Sequence, residues 1–170
     1  MVAALMLSTP QSRADGGKEQ QADILMLALP ATAYALTLNN DDGPGTWMLT
    51  KSLALSTITT IALNSVIDKD SPNGSSSDAF PSGHSTVAFG SAAFIQRRYG
   101  WRLGVPAYAA ASYVAWLRVE TDDHDVADVL GGAAVGIISS YLLTTRFDDT
   151  VQASAWVDGR YAGLQVQIRW

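Results

Sequence analysis

Cysteine is absent from this chain of 170 residues, and charged residues make up only 16% of it. The absence of cysteine excludes disulfides, thiolate metal sites and thiol nucleophiles. Basic residues are the scarcer charged class, because 11 Lys and Arg stand against 16 Asp and Glu, a formal net charge of −5. A nucleic-acid backbone calls for a basic surface, so this balance argues against nucleic acid as a partner. Histidine is almost absent too, with only His84 and His124 present.

Apolar residues are plentiful by comparison, at 48% of the chain, and the length suits one domain with a sizeable core. Apolar stretches separated by segments rich in Asn, Gly, Pro and Ser predict helices. The sequence therefore predicts an all-α domain. Its five predicted helices cover residues 23–38, 47–66, 85–98, 102–119 and 125–145.

The sequence leaves open whether these helices cross a membrane. A spanning helix needs about 20 mainly apolar residues. Residues 47–66 and 125–145 approach that length but contain Lys51 and Asp128. Small residues such as those at 131–134 permit close helix contacts in lipid and in a soluble bundle alike. An integral membrane bundle and a soluble or peripheral bundle both fit these patterns.

The two ends of the chain differ from its helical middle, which spans residues 23–148. Residues 1–22 are interpreted as a flexible N-terminal tail or the remnant of an export signal. Their apolar run is shorter than a normal signal core and follows no basic region. Residues 149–170 alternate apolar and polar side chains on either side of Asp158-Gly159, which predicts a short C-terminal β-hairpin.

Candidate chemistry lies in two short motifs, each with one histidine. In the later motif Asp128 follows His124 by four positions, so both side chains share one face of a helix. Asp128 can then accept a hydrogen bond from one ring nitrogen and leave the other nitrogen free to attack. Arg118 offers a planar guanidinium that suits a tetrahedral oxyanion. Taken alone, this spacing also fits an ordinary surface or capping pair.

The earlier motif is Pro81-Ser82-Gly83-His84, at the predicted start of the third helix. Gly83 lets the backbone approach a ligand closely, and amides at a helix start attract anions. Ser82 offers a hydroxyl, and His84 can donate a proton to a leaving oxygen. A turn with a capping serine would explain this motif alone. The two motifs together indicate phosphoryl chemistry.

From about Asn64 to Gly136 the sequence resembles the type 2 phosphatidic acid phosphatase superfamily, which includes bacterial acid phosphatases and vanadium haloperoxidases. That family carries the motifs Lys-x6-Arg-Pro, Pro-Ser-Gly-His and Ser-Arg-x5-His-x3-Asp. The second motif is intact here, and the third is present with Leu117 where the family usually has serine. The resemblance implies a compact bundle of five to six helices and a phosphate-ester hydrolase that needs neither a metal nor another cofactor.

The resemblance also implies a role for each matching residue. His124 would be the nucleophile that forms a phosphohistidine, Asp128 its orienting carboxylate, and His84 the general acid. The other motif residues would hold the phosphoryl oxygens. The expected catalytic residues are thus His124, His84 and Asp128, and the expected substrate-binding residues are Arg118, Ser82 and Gly83. Lys69 is added to the substrate-binding residues as a nearby cation, although its position does not match a family motif.

The first motif is degraded, because Asn64 and Ser71 stand where the family has its Lys and Arg. Removing one oriented donor to a developing charge typically costs ~100- to 1000-fold in rate. Lys69 is the nearby cation that could substitute in part. Acidic residues crowd residues 68–78 and 120–125. They would face solvent or, as an alternative, hold a divalent metal.

The leading hypothesis is a phosphatase for a phosphomonoester or pyrophosphate, acting on a phosphorylated lipid or a small phosphate ester. Such an enzyme would belong to the bacterial cell envelope, at the inner membrane or in the periplasm, with vanadate or phosphate as inhibitors. The degraded first motif keeps open a protein that binds a phospholipid or partner without efficient turnover. Vanadium-dependent halide oxidation is a third alternative, for which the chain is short.

Overall fold

The computed structural model describes residues 10–74, 76–147, 151–158 and 161–168, which form five helices and two strands. This architecture confirms the predicted helical bundle. The helices are α1 (Pro10–Asn39), α2 (Gly43–Asn64), α3 (Gly83–Tyr99), α4 (Trp101–Glu120) and α5 (Val126–Leu143), and the strands are β1 (Val151–Asp158) and β2 (Tyr161–Ile168).

Helix α1 begins well before the predicted start at residue 23. Residues 10–22, which the sequence assigns to a flexible tail or the remnant of an export signal, are helical in this structure. Their composition is polar and Gly-containing, so no apolar periodicity marks them as a helix. Contacts with the rest of the fold hold them instead. Ala22 is fully buried, and Lys18 Nζ lies 3.0 Å from Glu120 Oε1 on α4.

The C-terminal residues contain the antiparallel pair β1 and β2. Val151 lies opposite Ile168, and Asp158 lies opposite Tyr161. The predicted turn at Asp158-Gly159 stays a prediction, since Gly159 lies outside the described residues. The possible signal remnant within residues 1–9 lies outside them as well.

Helix α3 is central and packs against the other four helices. Its contact with α5 is especially close because small residues face each other there. A Cβ atom added to Gly136 would lie 2.3 Å from the Thr86 carbonyl oxygen, and one added to Gly132 would lie 2.3 Å from the Ser82 carbonyl oxygen. Glycine is therefore required at both positions. This packing brings the Pro-Ser-Gly-His turn against the N-terminal end of α5.

Helix α2 shows an unusual distribution of side chains. Its buried positions include Ser52, Ser56 and Thr60, whereas Trp47 and Ile58 are about two thirds exposed, at 63% and 64%. Large apolar side chains are exposed on the other helices too, while hydroxyl groups are buried inside the bundle. Two segments, Gly16–Asn39 and Val126–Leu143, are long and apolar enough to cross a membrane by length and composition.

A buried ion pair joins the helix ends at one pole of the bundle. Asp42 caps α2 by accepting a hydrogen bond from the Gly45 amide, at 2.9 Å. The Arg98 Nε atom donates to Asp42 Oδ2 at 2.7 Å, and the Tyr99 hydroxyl donates to the same oxygen at 2.8 Å. Burial alone raises the pKa of Asp42, but the hydrogen bonds from Arg98 and Tyr99 outweigh it and hold the pKa below its ordinary value.

Arg98 extends this network to the end of α5. Its Nη1 atom donates to the carbonyl oxygens of Thr145 and Arg146, at 3.1 and 2.9 Å. One guanidinium therefore fastens the α1–α2 turn, the end of α3 and the segment after α5.

Candidate active site

A cavity of about 570 Å³ lies at the opposite pole of the bundle, where α2 and α4 end and α3 and α5 begin. The loop between α2 and α3 contributes one side of its wall. The wall thus combines residues from both sequence motifs with residues from the degraded first motif. Those that matter most are Asn64, Ser71, Gly83, Arg118, Asp123 and His124.

His124 lies in the short connection between α4 and α5, and the positive φ of Asp122, 56°, turns the chain there. The backbone amide of His124 donates to the Arg118 carbonyl oxygen at 3.1 Å, which holds the histidine beside the end of α4. Burial and the neighbouring Arg118 guanidinium lower the pKa of His124. A lowered pKa favours the neutral ring, the form in which a ring nitrogen can act as a nucleophile.

Asp128 is fully buried in the first turn of α5, on the Nδ1 side of His124. Its Oδ2 atom lies 3.8 Å from His124 Nδ1, a distance for charge attraction rather than a formed hydrogen bond. Within the described residues, that buried ring nitrogen has no hydrogen-bond partner. The two side chains thus lie close together, but the predicted hydrogen bond between His124 and Asp128 is not formed in this structure.

Asp128 has closer partners in Asp125 and Lys69. Asp125 and Asp128 form a reciprocal capping box, in which each carboxylate accepts the other residue's backbone amide, at 3.1 and 3.0 Å. The Lys69 amine lies 2.5 Å from Asp128 Oδ1 and 2.6 Å from Asp125 Oδ2. Burial alone would lower the pKa of Lys69, but the two carboxylates outweigh burial and raise it. In return, the hydrogen bond from Lys69 lowers the pKa of Asp125.

Lys69 was expected to bind substrate, and the structure gives its amine a different environment. It contacts the carboxylates behind His124 and is not part of the described cavity wall. The reason is local backbone pairing, because the loop folds back on itself. The Ala79 amide donates to the Lys69 carbonyl oxygen at 2.9 Å, which directs the lysine towards the start of α5.

Arg118 faces the cavity with part of its guanidinium unpaired. Its Nη1 atom lies 3.1 Å from Asp123 Oδ2, while its Nε atom is buried without a hydrogen-bond partner in the described part of the chain. Asp123 is itself held by the Thr121 hydroxyl at 2.5 Å and the Asn73 amide at 2.9 Å. A buried, unpaired donor costs free energy unless a ligand satisfies it, so this arrangement suits an anion in the cavity.

The residues of the Pro-Ser-Gly-His turn have different surroundings in the structure. Ser82 is fully buried and caps α3, and its amide donates to the Asp128 carbonyl oxygen at 3.0 Å. Gly83 lies in the cavity wall. His84, the next residue, is not among the residues of that wall. Its Nε2 atom lies 2.7 Å from Oδ1 of Asp23 on α1.

The structure therefore brings Gly83, Arg118 and His124 together around one cavity, with Asp128 behind His124. Ser82 and His84 adjoin the cavity through Gly83. Sequence reasoning missed Asp23, for which no local signal exists, because it lies 61 positions from His84. It also missed the capping role of Asp125, although an acidic residue three positions before another at the start of an apolar helix is a recognisable cap pattern.

Asn64 and Ser71 both lie in the cavity wall, at the two positions where the family resemblance expects cations. The Asn64 amide nitrogen donates to the Asp78 carbonyl oxygen at 2.5 Å, and its Oδ1 atom is buried without a partner among the described residues. The location of both residues supports the alignment of the degraded first motif. The described wall therefore contains Arg118 as its cation, together with the carboxylates of Asp78 and Asp123.

The acidic residues around the cavity show no grouping suited to a metal. Within the described residues, no set of three or more His, Asp and Glu side chains is arranged to hold an ion. Several of the acids instead pair with Lys69, Arg118 and Thr121.

Parts of the sequence match known proteins. The family model of the PAP2 superfamily matches residues 50–151. A lipid A 1-phosphatase of Porphyromonas gingivalis is 39% identical over 70 residues, which are 39% of this chain and 16% of that protein. A lipid A 4'-phosphatase of Helicobacter pylori is 36% identical over 67 residues, which are 39% of this chain and 34% of that protein. The matched region thus spans about a third or less of these relatives.

Among solved structures, the crystal structure of Aquifex aeolicus LpxE has the same fold. The TM-score is 0.63, and the match covers 79% of this chain and 86% of that chain. The sequence identity is 18%, so this likeness concerns the fold alone.

Proposed function

Because the chain belongs to the PAP2 superfamily, whose model matches more than half of it, we propose that it hydrolyses the phosphate ester of a lipid. The matching curated proteins are lipid A phosphatases, so a phosphorylated glycolipid of that type is the proposed substrate. One observation carries the proposal. His124, whose pKa is lowered by burial and by Arg118, shares a cavity with an unpaired nitrogen of Arg118, which pairs a nucleophile with an oxyanion donor.

The first step of the proposed reaction transfers the phosphoryl group to His124. Asp128 lies on the Nδ1 side of the ring, so Nε2 is the nitrogen that attacks phosphorus, after the ring gives up its hydrogen bond to the Ala79 backbone. As the N–P bond forms, the bond from phosphorus to the ester oxygen breaks, and His84 donates a proton to the leaving oxygen. Arg118 and the backbone at Gly83 hold the phosphoryl oxygens while negative charge spreads over them.

The second step releases phosphate from the phosphohistidine. Water attacks phosphorus, the N–P bond breaks, and His84 accepts the proton that water loses. In both steps Asp128 stabilises the positive charge that the His124 ring carries when Nε2 bears phosphorus. Lys69 contributes indirectly, because its amine contacts Asp128 Oδ1 and holds that carboxylate in its orientation behind His124.

A second candidate function is binding of a phosphorylated lipid without efficient turnover. The specific observation is that Asn64 and Ser71 are neutral residues in the cavity wall, where Asp78 and Asp123 also contribute negative charge. A phosphate dianion meets less compensating charge there than the family motifs would supply. Stabilisation of the phosphoryl charge therefore depends mainly on Arg118.

The proposed location is a bacterial membrane, with the bundle embedded in lipid. Water-soluble proteins rarely expose large contiguous apolar surfaces, yet α2 exposes Trp47, Ile58 and Ile61 and buries serine and threonine instead. Close contacts through small and hydroxyl residues are typical of helices that associate within lipid. The exposed apolar faces would then contact acyl chains.

Charge distribution supports a direction of insertion. The pole around Asp42 carries mainly basic residues, and the cavity pole is strongly acidic. Cytoplasmic segments of membrane proteins carry an excess of Lys and Arg, so the cavity is proposed to open on the periplasmic side. The basic residues at the first pole are Lys51, Arg97, Arg98, Arg102 and Arg146.

Phosphate release from defined lipids tests the proposal. The purified protein in mixed micelles is given lipid A, phosphatidic acid and p-nitrophenyl phosphate, with His124→Ala as the control. We expect release by the wild type, inhibition by vanadate and no release by the variant. Equal inertness of both proteins together with an absence of vanadate binding would remove both candidate functions. Vanadate binding without turnover would leave the second one.

A further inference from the structure

We propose that Asp23, on α1, is a positioning residue that holds the His84 ring in the orientation required for proton donation, an inference that rests on the proposed phosphatase function. The contact is direct, because His84 Nε2 lies 2.7 Å from Asp23 Oδ1. Asp23 lies outside residues 50–151, the segment that the family model matches. The family relationship therefore assigns it no role.

Helix α1 is fastened at this point by contacts on both sides of Asp23. Ala22 is fully buried, and the Tyr113 hydroxyl on α4 donates to Gln21 Oε1 at 3.4 Å. One turn earlier, Lys18 pairs with Glu120 at the end of α4. These contacts set the register of α1 along the bundle, so the carboxylate meets the first turn of α3 at a defined place.

The chemistry follows from which ring nitrogen is occupied. With Nε2 hydrogen-bonded to Asp23, Nδ1 is the nitrogen left to serve the leaving group. In the first step the Nδ1–H proton passes to the ester oxygen as its bond to phosphorus breaks, and the neutral ring keeps its Nε2–H bond to Asp23. In the second step Nδ1 accepts the proton from water. A carboxylate partner that selects one tautomer in this way is a common means of orienting histidine.

The exposure of Asp23 limits this role to orientation. Its side chain is 59% exposed, and exposed ion pairs contribute little to stability. Replacing Asp23 should therefore leave the fold intact and change the proton-transfer step. Esters with poor leaving groups depend on that proton, while p-nitrophenolate leaves without it.

Kinetics with two classes of ester test the inference. Asp23→Asn should lower kcat for an alkyl phosphate or lipid phosphate on the order of tenfold, a part of the ~100- to 10,000-fold that general acids contribute, and change p-nitrophenyl phosphate hydrolysis by less than about twofold. Asp23→Glu should restore part of the loss. Glu19→Gln removes the same charge one turn earlier on α1 and should leave both rates unchanged. An equal loss on both esters, or a gain in rate, would overturn the inference.

Nitrogen NMR of the rings gives a readout that does not need turnover. The chain has two histidines, so His84→Asn assigns both sets of ¹⁵N signals. Asp23→Asn should change the tautomer-sensitive shifts of His84 and leave those of His124 in place. Unchanged His84 signals would contradict the inference even if the enzyme is active. If the wild type releases no phosphate from any ester, the proposed function fails, while the spectra still report whether Asp23 orients the ring.

Discussion

Both poles of the bundle contain a buried carboxylate that contacts a cation, but the two carboxylates differ in how completely they are paired. Each pole has a fully buried carboxylate at the start of a helix, Asp42 for α2 and Asp128 for α5, and each carboxylate contacts a cation. At the Asp42 pole the cation is Arg98, whose side chain is 5% exposed. At the cavity pole it is Lys69, whose side chain is 30% exposed. Asp42 is enclosed in a complete network, whereas Asp128 is supported from one side and faces His124 on the other.

Unpaired buried atoms follow the same division. Of the five side-chain atoms in the described residues that are buried without a hydrogen bond, four lie at the cavity pole and one, Thr144 Oγ1, lies at the Asp42 pole. Unsatisfied buried polar groups cost stability unless a ligand pairs with them. Stabilising contacts are therefore concentrated at the Asp42 pole, and unpaired groups that a ligand could satisfy are concentrated at the cavity pole. The four cavity-pole atoms are Asn64 Oδ1, Ser85 Oγ, Arg118 Nε and His124 Nδ1.

The largest expected effect is loss of activity in His124→Ala. Without the nucleophile, phosphate release should fall by at least about a thousandfold, which corresponds to roughly 4 kcal/mol of activation free energy. The free energy of unfolding should change little or rise, because the variant removes a buried nitrogen that has no partner. Rates in micelles and thermal unfolding followed by circular dichroism measure both. A variant that unfolds easily would contradict the division between the poles.

Arg98→Met should show the opposite profile. Removing one partner of a buried ion pair leaves Asp42 uncompensated and should cost about 3–5 kcal/mol of unfolding free energy. Activity per folded molecule should stay within about twofold of the wild type, because the cavity lies at the other pole. Arg102→Met, at an exposed position near the start of α4, is the matched control and should cost little. A stable Arg98→Met protein with poor activity would contradict this division between the two poles.

Restoring the family cations should make the cavity pole more active. Asn64→Lys together with Ser71→Arg places two positive charges in the cavity wall. A gain of about 10- to 100-fold in kcat/KM is expected, far below the roughly 10,000-fold or more that two oriented donors can contribute, because Asp78 and Asp123 offset part of the new charge. Asn64→Gln with Ser71→Gln is the neutral control. If the wild type already turns over rapidly and the charged variant gains nothing, the wild-type cavity has enough positive charge for catalysis without these two cations.

Local patterns in the sequence were enough to predict the bundle and its two histidine motifs. The helices from α2 to α5 are apolar segments bounded by breaker residues, and the spacing of His124 and Asp128 is a property of one helix turn. The start of α1 could not be found in this way. Residues 10–22 carry no apolar periodicity, and tertiary contacts such as Lys18 with Glu120 hold them in place.

Contacts between distant segments account for the other differences. Lys69 lies next to the degraded motif in sequence, which favoured a role in substrate binding. Its amine instead reaches Asp125 and Asp128, 56 and 59 positions away, because the loop folds back towards α5. The contact of Asp23 with His84 is of the same kind. Neither the spacing nor the composition of a single segment carries information about such partners.

Lys69→Met should give the smallest of these effects and shows how Asp128 is tuned. The His124 pKa is lowered by burial and by Arg118, and the Asp128 charge opposes this shift. Lys69 offsets that charge, so its removal should raise the pKa of His124.

The consequence for the rate has a definite sign. Because His124 attacks in its neutral form, activity falls as pH drops through its pKa, and a raised pKa moves this acidic limb towards neutral pH. Lys69→Met should therefore lose rate on the acidic side and much less above neutral pH. Lys18→Met, which removes another lysine that pairs with an acid at the same pole, should leave the limb in place. NMR titration of His124 checks the cause, and an unshifted His124 titration in Lys69→Met would mean that Lys69 does not tune the carboxylate behind the nucleophile.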